Sequence, residues 1–238
     1  MWTDYALSSL SGKKTYSRDE LYQVFSREKS GLNDTAFRWL LYSLLQKNRI
    51  YKLDYDTYTI KKPDNTAVYQ PLYSKKARDL TNNISTKYPT LNFVVFESIQ
   101  LNEFLNHQIA QNTIYIQVDK ELSSYIFDEY RAESTGTILY KPTRKDFERY
   151  WTMDCIVFLD LVSQSPLLSG HPHAIMLEKM LVDIIAEKTI AATFSPSELP
   201  FIFENALHSY SVDTHKMNRY AGRRNKTEII NKYLKGIR

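Results

Sequence analysis

The sequence predicts an α/β protein with an N-terminal winged helix-turn-helix, followed by a mixed-sheet domain with a helical C-terminal part. Residues 1–62 carry three helical patterns and then two short strand patterns. Strand and helix patterns alternate from residue 74 onward, and from about residue 174 apolar residues recur only at helical spacing. We therefore expect domains over residues 1–62 and 74–238, joined by a linker over residues 63–73 that contains Pro63 and Pro71.

The composition is that of a folded protein with more than one core. Of the 238 residues, 43% are hydrophobic and 24% are charged. A single cysteine, Cys155, excludes an intrachain disulfide, so nothing indicates an oxidising compartment. The longest apolar runs are far shorter than the roughly 20 residues of a membrane span, and no signal peptide is predicted. We expect a soluble cytoplasmic protein without a membrane partner.

Two basic ends flank an acidic middle. Residues 1–62 hold 11 Lys and Arg against 7 Asp and Glu, and residues 212–238 hold 8 against 2. The middle holds 12 against 18. Basic ends suit nucleic acid, because phosphate contacts by Lys and Arg release counterions. Ordinary solvated helix faces explain the charges equally well.

Capping signals mark two of the three N-terminal helices. Ser17 and Glu20 form the pattern of a capping box at the start of a short helix. A second helix begins at Asn33 or Asp34 and runs to about Gln46, with its apolar residues on one stripe.

A β-hairpin is predicted after these helices. A further helix over residues 3–10 precedes them, and strands over residues 50–53 and 57–60 follow, joined by an aspartate-rich turn. Three helices and a hairpin in this order resemble a winged helix-turn-helix, in which the third helix enters the major groove and the hairpin touches the DNA backbone.

The polar and aromatic side of helix 34–46 is the predicted DNA-reading surface. Arg38 is the best candidate for a base contact, because a guanidinium group can pair bidentately with guanine. The residues predicted to contact DNA are Thr35, Arg38, Trp39 and Tyr42 toward the bases, and Lys47, Arg49 and Lys52 toward the phosphates. In the alternative interpretation Trp39 and Tyr42 pack against protein, and the winged helix is an interaction module.

A succession of strands and helices follows the linker. The predicted elements are helix 77–88, strand 91–96, helix 101–109, strand 113–118, helix 121–131, strand 137–140, helix 144–149 and strand 155–161. This alternation predicts a mixed or parallel sheet covered by helices. Four helices are expected to close the chain, with caps at Ser195, Asp213 and either Asn225 or Thr227.

Each enzymatic interpretation lacks a component. A nucleotidyltransferase needs a Gly-Ser pair and closely spaced carboxylates, but the sequence has no Gly-Ser dipeptide and Asp154 and Asp160 lie six residues apart. The glycines are isolated, which excludes a glycine-rich phosphate loop. We therefore predict no catalytic residues and no cofactor. A nucleic-acid-processing enzyme of the nuclease or nucleotidyltransferase class is the alternative.

Two smaller candidate sites have structural explanations. His171 and His173 could bind a metal ion, but no third ligand is near in sequence. A surface loop around Gly170 explains them better, so no metal site is predicted. Cys155 lies in an apolar strand, where a buried thiol is usually inert.

A basic cluster near the C-terminus is the second predicted binding surface. Its members are Lys216, Arg219, Arg223, Arg224 and Lys226. Arg219 and Arg223 stand four residues apart on one helix face, a spacing that can grip a phosphate or a carboxylate. An internal ion pair between one of these two arginines and a residue such as Glu178 or Asp183 explains an arginine at such a position equally well.

Three C-terminal segments resemble those of AbiEi-like antitoxins. They are Leu177-Glu178-Lys179-Met180-Leu181-Val182-Asp183, then Ile202-Phe203-Glu204-Asn205-Ala206 with Tyr210, and then Met217-Asn218-Arg219-Tyr220-Ala221-Gly222-Arg223-Arg224. Together with the predicted winged helix, the resemblance covers most of the chain.

The resemblance implies the antitoxin of a type IV toxin–antitoxin system linked to abortive phage infection. In that family the winged helix binds double-stranded operator DNA and represses its own operon. The C-terminal domain counteracts a nucleotidyltransferase-like toxin without forming a stable complex with it. Such a role needs no active site.

Overall fold

The chain forms two compact units in a computed structural model that describes residues 2–10, 13–47, 49–54, 56–61, 67–168 and 170–236. The side chains of residues 46, 52–54, 172 and 236 lie outside this description. The first unit comprises Met1–Val68 and Glu204–Ser211, and the second comprises Tyr69–Phe203 and Val212–Gly236. None of the described helices is long and apolar enough to cross a membrane.

The first unit contains three helices and a small antiparallel sheet. Its elements are α1 (Trp2–Ser8), β1 (Tyr16–Ser17), α2 (Arg18–Glu28), α3 (Asp34–Gln46), β2 (Tyr51–Asp54) and β3 (Thr57–Thr59). The three predicted helices and the β2–β3 hairpin are confirmed. Strand β1 was not predicted; it pairs with β3, so the strand order is β1-β3-β2.

Both predicted capping signals begin helices. The Ser17 hydroxyl accepts a hydrogen bond from the Glu20 amide, and the Glu20 carboxylate accepts one from the Ser17 amide. Asn33, rather than Asp34, caps α3, because its side-chain oxygen accepts from the Ala36 amide at 2.8 Å. These bonds satisfy amides that a helix start leaves without intrahelical partners.

The core of the first unit fixes which side of α3 faces outward. Phe37, Leu41 and Leu44 are buried in a cluster with Leu21 and Phe25 of α2. They recur at the spacing of one helical stripe, so the residues between them are left on the opposite side.

The second unit is a six-stranded mixed sheet with helices on both faces. Its elements are α4 (Lys75–Lys87), β4 (Phe93–Glu97), β5 (Thr113–Asp119), α5 (Ser123–Glu133), β6 (Ile138–Tyr140), α6 (Arg144–Tyr150), β7 (Cys155–Leu161), β8 (Leu167–Leu168), β9 (His171–Ile175), α7 (Leu177–Ala186), α8 (Lys188–Ala191), α9 (Leu199–Ser209), α10 (Thr214–Arg223) and α11 (Thr227–Gly236). Helix α9 contributes its last residues to the first unit. The predicted α/β class is confirmed.

The strand order in this sheet is β6-β7-β5-β4-β9-β8. Strands β5, β7 and β6 run parallel, whereas β4 is antiparallel to β5. Ala77 of α4 and Phe127 of α5 pack in one apolar cluster with strand residues such as Phe158. On the other face, the Tyr115 ring lies 6.4 Å from that of Phe147 in α6, and Gln117 donates to Asp183 of α7 at 2.9 Å.

The predicted helix over residues 101–109 is wrong. A 3₁₀ turn spans Ser98–Glu103, and irregular chain follows it. The Asn102 side chain donates to the Ile109 carbonyl at 3.0 Å and accepts from the Ile109 amide at 2.7 Å. This pair of bonds closes a loop in place of a helix, because asparagine competes for the backbone groups that a helix would use.

The surface loop predicted around His171 and His173 is also wrong. Both histidines lie in strand β9, which pairs with β8 and runs parallel to β4. Gly170 makes the preceding turn with φ +81°, a conformation that suits glycine. The helical part accordingly begins at Leu177, and the additional short helix α8 makes five described helices from there to the C-terminus where four were expected.

Candidate nucleic-acid interface

The outward side of α3 is exposed and carries all four predicted base-contacting residues. Trp39 is 70% exposed, Tyr42 is 43% exposed, and the Arg38 side chain is 75% exposed. Thr35 is exposed as well. A helix with one buried stripe and one free side has the shape that a major groove accepts.

Two arginines share one carboxylate at the start of α3. Arg38 Nε lies 3.0 Å from Asp34 Oδ2, one helical turn away, and Arg18 of α2 donates to Asp34 Oδ1. The hydrogen bond from Arg18 holds the pKa of the Asp34 carboxyl below its usual value of 3.8, so this group stays ionised. Arg18 also lies 4.0 Å from the Asp19 carboxylate of α2, so these two guanidinium groups and two carboxylates carry no net charge together.

Arg38 is therefore oriented but not held firmly. An exposed ion pair of this kind contributes little to stability, because water screens the two charges. A guanine edge or a phosphate can replace Asp34 as its partner at small cost, while Asp34 keeps Arg18. Arg18 could not be found from the sequence, because its contact with Asp34 joins two helices that only the fold brings together.

Trp39 and Tyr42 form an exposed aromatic pair. Their ring centroids are 6.2 Å apart and the rings meet edge to face at 88°. Large aromatic groups at the surface are typical of binding sites for protein as well as for nucleic acid. The pair is the feature that keeps a protein-interaction role open.

The three predicted phosphate contacts differ in their surroundings. Lys47 is exposed at the end of α3. Arg49 pairs with Asp4 of α1 at 2.6 Å, and that hydrogen bond lowers the pKa of the Asp4 carboxyl. Lys52 lies in β2, but its side chain is outside the described part of the structure.

The C-terminal basic cluster does not form one surface. Lys216, Arg219 and Arg223 are exposed and share one face of α10. Arg224 belongs instead to an internal network, where it pairs with Glu187 and lies 3.8 Å from Asp183. The internal ion pair that was considered for Arg219 or Arg223 is thus made by Arg224 instead, and Lys226 is half-buried beyond the helix.

The internal network centres on a fully buried lysine. Lys179 Nζ donates to Asp183 Oδ2 at 2.7 Å and to the Tyr220 hydroxyl at 2.8 Å. Tyr220 and Gln117 donate to Asp183 in turn, each within 2.9 Å. Burial by itself raises the pKa of the Asp183 carboxyl. The positive charges of Lys179 and Arg224 lower this pKa by more than burial raises it, so the net pKa lies below its usual value of 3.8.

The candidate groups for catalysis lie apart from this network. Burial raises the pKa of the Cys155 thiol to about 11, as its position in an apolar strand predicted. The His173 ring stacks on Phe93 with centroids 3.8 Å apart. Among the described residues, no group of three or more His, Cys, Asp or Glu side chains is placed to hold a metal ion.

Comparison with known proteins identifies the family. No curated protein sequence matches the chain. The crystal structure of the RV2827C protein from Mycobacterium tuberculosis matches the whole of this chain and 82% of its own at 11% identity, but the TM-score of 0.25 is too low to support any inference. A family model matches residues 36–238, which is most of the chain. The chain therefore belongs to DUF6577, a family of unknown function.

Proposed function

We propose that this protein is a DNA-binding transcriptional autorepressor and antitoxin, whose first unit is a winged helix-turn-helix that reads operator DNA through α3. The observation that carries the proposal is the exposure of Thr35, Arg38, Trp39 and Tyr42 on one side of a helix whose other side is buried. In this proposal the protein is cytoplasmic and has no catalytic activity of its own.

The proposed DNA contacts are of two kinds: those that read the base sequence and those that position the protein on the phosphate backbone. Arg38 exchanges Asp34 for a guanine edge, and Thr35 lies one turn earlier at the groove floor. Lys47 and, after leaving Asp4, Arg49 contact phosphates, with Lys52 on the hairpin as a further positioning group. Only the base contacts of Arg38 and Thr35 distinguish one DNA sequence from another.

The antitoxin half of the proposal rests on the resemblance to AbiEi-like proteins. Two of the resembling segments, in α7 and α10, meet through Lys179, Asp183 and Tyr220, which supports their forming one structural unit. The proposed partner is a nucleotidyltransferase-like toxin, counteracted without a stable complex.

An electrophoretic mobility shift on the DNA upstream of the protein's own gene tests the DNA-binding half. Arg38→Ala should bind that DNA and a scrambled duplex almost equally, because losing a bidentate base contact costs about 1 to 3 kcal/mol of discrimination. Arg131→Ala on α5 of the second unit removes the same charge and should leave the preference unchanged. The absence of any shift at low salt would refute this half of the proposal.

Co-expression tests the antitoxin half separately. A neighbouring reading frame that arrests growth when expressed alone should be tolerated when this chain is supplied. Rescue should persist in Arg38→Ala, because neutralising the toxin needs no operator contact. Continued arrest with the wild-type chain would refute the antitoxin role and leave DNA binding intact.

A protein-interaction role is the second candidate, and the exposed Trp39–Tyr42 pair favours it. If α3 docks on protein, Trp39→Ala should abolish the function of the chain in cells while binding to upstream DNA stays at the level of random DNA. If α3 reads DNA, the same variant should weaken the operator complex directly.

A further inference from the structure

A basic crevice of about 790 Å³ lies in the second unit, at the carboxyl edge of its parallel strands. Strands β5, β7 and β6 run in the same direction, so their ends meet at this edge. The crevice is lined by the loop from β6 to α6, the end of β7, the junction of α7 with α8, and the residue after α10.

The position of the crevice is one where open α/β sheets bind ligands. The chain after β5 leads to α5 on one face of the sheet, and the chain after β6 leads to α6 on the other. Loops that diverge in this way leave a gap at the carboxyl ends of the strands, and ligands bind in such gaps.

Positive charge in the crevice exceeds what its own acids neutralise. Five cationic side chains line it: Lys141, Arg144, Lys145, Lys188 and Arg224. The lining carboxylates are those of Asp160 and Glu187. Asp160 already accepts from Lys141 at 2.6 Å and from Ser123 at 2.7 Å, and Glu187 is paired with Arg224.

Two lysines of the crevice have no counter-charge within the part of the chain that the structure describes. Arg144 is paired with Glu148 at 2.8 Å, which further reduces the available positive charge. Lys145 and Lys188 are exposed, and neither is paired with an acidic side chain of the described residues. Their ammonium groups are compact charges with three donors each, which suits phosphate oxygens.

A buried hydroxyl in the same wall also has an unused hydrogen-bonding capacity. Thr189 is 3% exposed and lines the crevice, and its Oγ1 has no hydrogen-bond partner within the described ranges. Buried polar atoms are normally hydrogen-bonded, so this hydroxyl is available as a partner for a ligand in the crevice. Leu159, Val162 and Ala186 add an apolar side to the crevice.

We propose that this crevice binds a phosphorylated small molecule, with Lys145 and Lys188 neutralising its phosphates and the apolar wall contacting its organic part. The volume falls within the range of small-molecule sites, roughly 300 to 1,000 Å³. The proposal does not depend on DNA binding by the first unit, since every lining residue belongs to the second unit.

Isothermal titration calorimetry on the full chain tests the site, with inorganic pyrophosphate and ATP as probes. At least one should bind, and the double variant Lys145→Gln with Lys188→Gln should weaken that binding about tenfold or more. The matched control, Lys75→Gln with Lys235→Gln, removes the same charge from exposed helix positions elsewhere in this unit and should change affinity less than twofold. Tighter binding of ADP than of pyrophosphate, which has the same number of phosphates, would show that the organic part contributes.

No heat with either probe at millimolar concentration, or equal weakening by both double variants, would overturn the proposal. A third result would also overturn it: random duplex DNA displaces ATP, and Lys145→Gln and Lys188→Gln bind DNA less tightly than the wild type. The crevice would then be part of a DNA-binding surface. Should the double variant melt at a lower temperature than the wild type, each single variant must still weaken probe binding.

Discussion

Lys179 and Asp183 form a hydrogen-bonded ion pair at 2.7 Å in which the lysine side chain is fully buried and the aspartate nearly so. The pair lies on α7 and reaches Tyr220 on α10 and Gln117 on β5. A buried charge is costly unless it is paired and hydrogen-bonded. The network therefore ties α7, α10 and the sheet into one arrangement, which any change to a single member should disturb.

Removing Lys179 should strongly destabilise the second unit. In Lys179→Met the Asp183 carboxylate stays buried with its closest counter-charge gone, and breaking a buried pair in this way costs about 3 to 5 kcal/mol. Urea denaturation followed by circular dichroism measures the loss. Lys75→Met, at an exposed position of α4, should change stability by less than about 0.5 kcal/mol. Similar stability of the two variants would contradict the account.

The same carboxylate predicts a loss of stability in acid. The pKa of Asp183 is lowered in the folded protein, so its contribution is fully present above the unfolded value of 3.8 and is lost as the pH falls through the lower folded value. The free energy of unfolding should therefore fall steeply below pH 3.8. Asp183→Asn should be less stable at neutral pH but show a shallower slope in that range. An identical slope in both proteins would show that other groups account for the acid sensitivity.

Cys155 should be unreactive in the folded protein. Burial raises its pKa to about 11, so almost no thiolate is present at pH 8, and its position in β7 shields it from reagents. Ellman's reagent should release colour only after denaturant is added. Rapid reaction of the native protein would mean that the β7 region opens readily.

Asn33 should contribute to the stability of the first unit. Its side chain satisfies the Ala36 amide at the start of α3, and replacing such a cap by alanine costs about 1 kcal/mol. Thermal unfolding of Asn33→Ala measures this loss. Gln23→Ala, at an exposed position of α2, is the control and should be close to neutral. A neutral Asn33→Ala would indicate that α3 starts without this cap.

The features that the sequence could predict are those set by local chemistry. Ser17 and Asn33 mark the starts of helices, because each side chain bonds to an amide three residues further along the chain. Strand β7 over Cys155–Leu161 is a run of mainly apolar residues, which is typical of a strand buried on both faces. Strand β1 could not be predicted, because two residues are too few to show an alternating pattern.

The features that could not be predicted depend on long-range contacts. The loop at Asn102 is closed by Ile109 rather than continued as a helix. The prolines indicated a loop near Pro172, but Pro172 lies within strand β9. The pairing of β9 with β8 has a register shift, and strands tolerate proline at such irregularities. Which arginine of the basic cluster faces Asp183 depended on how α10 packs on α7, and the structure gives that position to Arg224 rather than to Arg219 or Arg223.

Directed cleavage of the upstream DNA shows whether the outward side of α3 lies against operator DNA. An iron chelate is attached to the thiol of a Thr35→Cys variant, since Cys155 is expected not to react in the native protein. If α3 lies in the groove, the chelate should cut the upstream DNA at discrete positions, and none of these cuts should appear when it is attached to a Lys75→Cys variant on α4. Uniform cleavage, or none above that control, would contradict it.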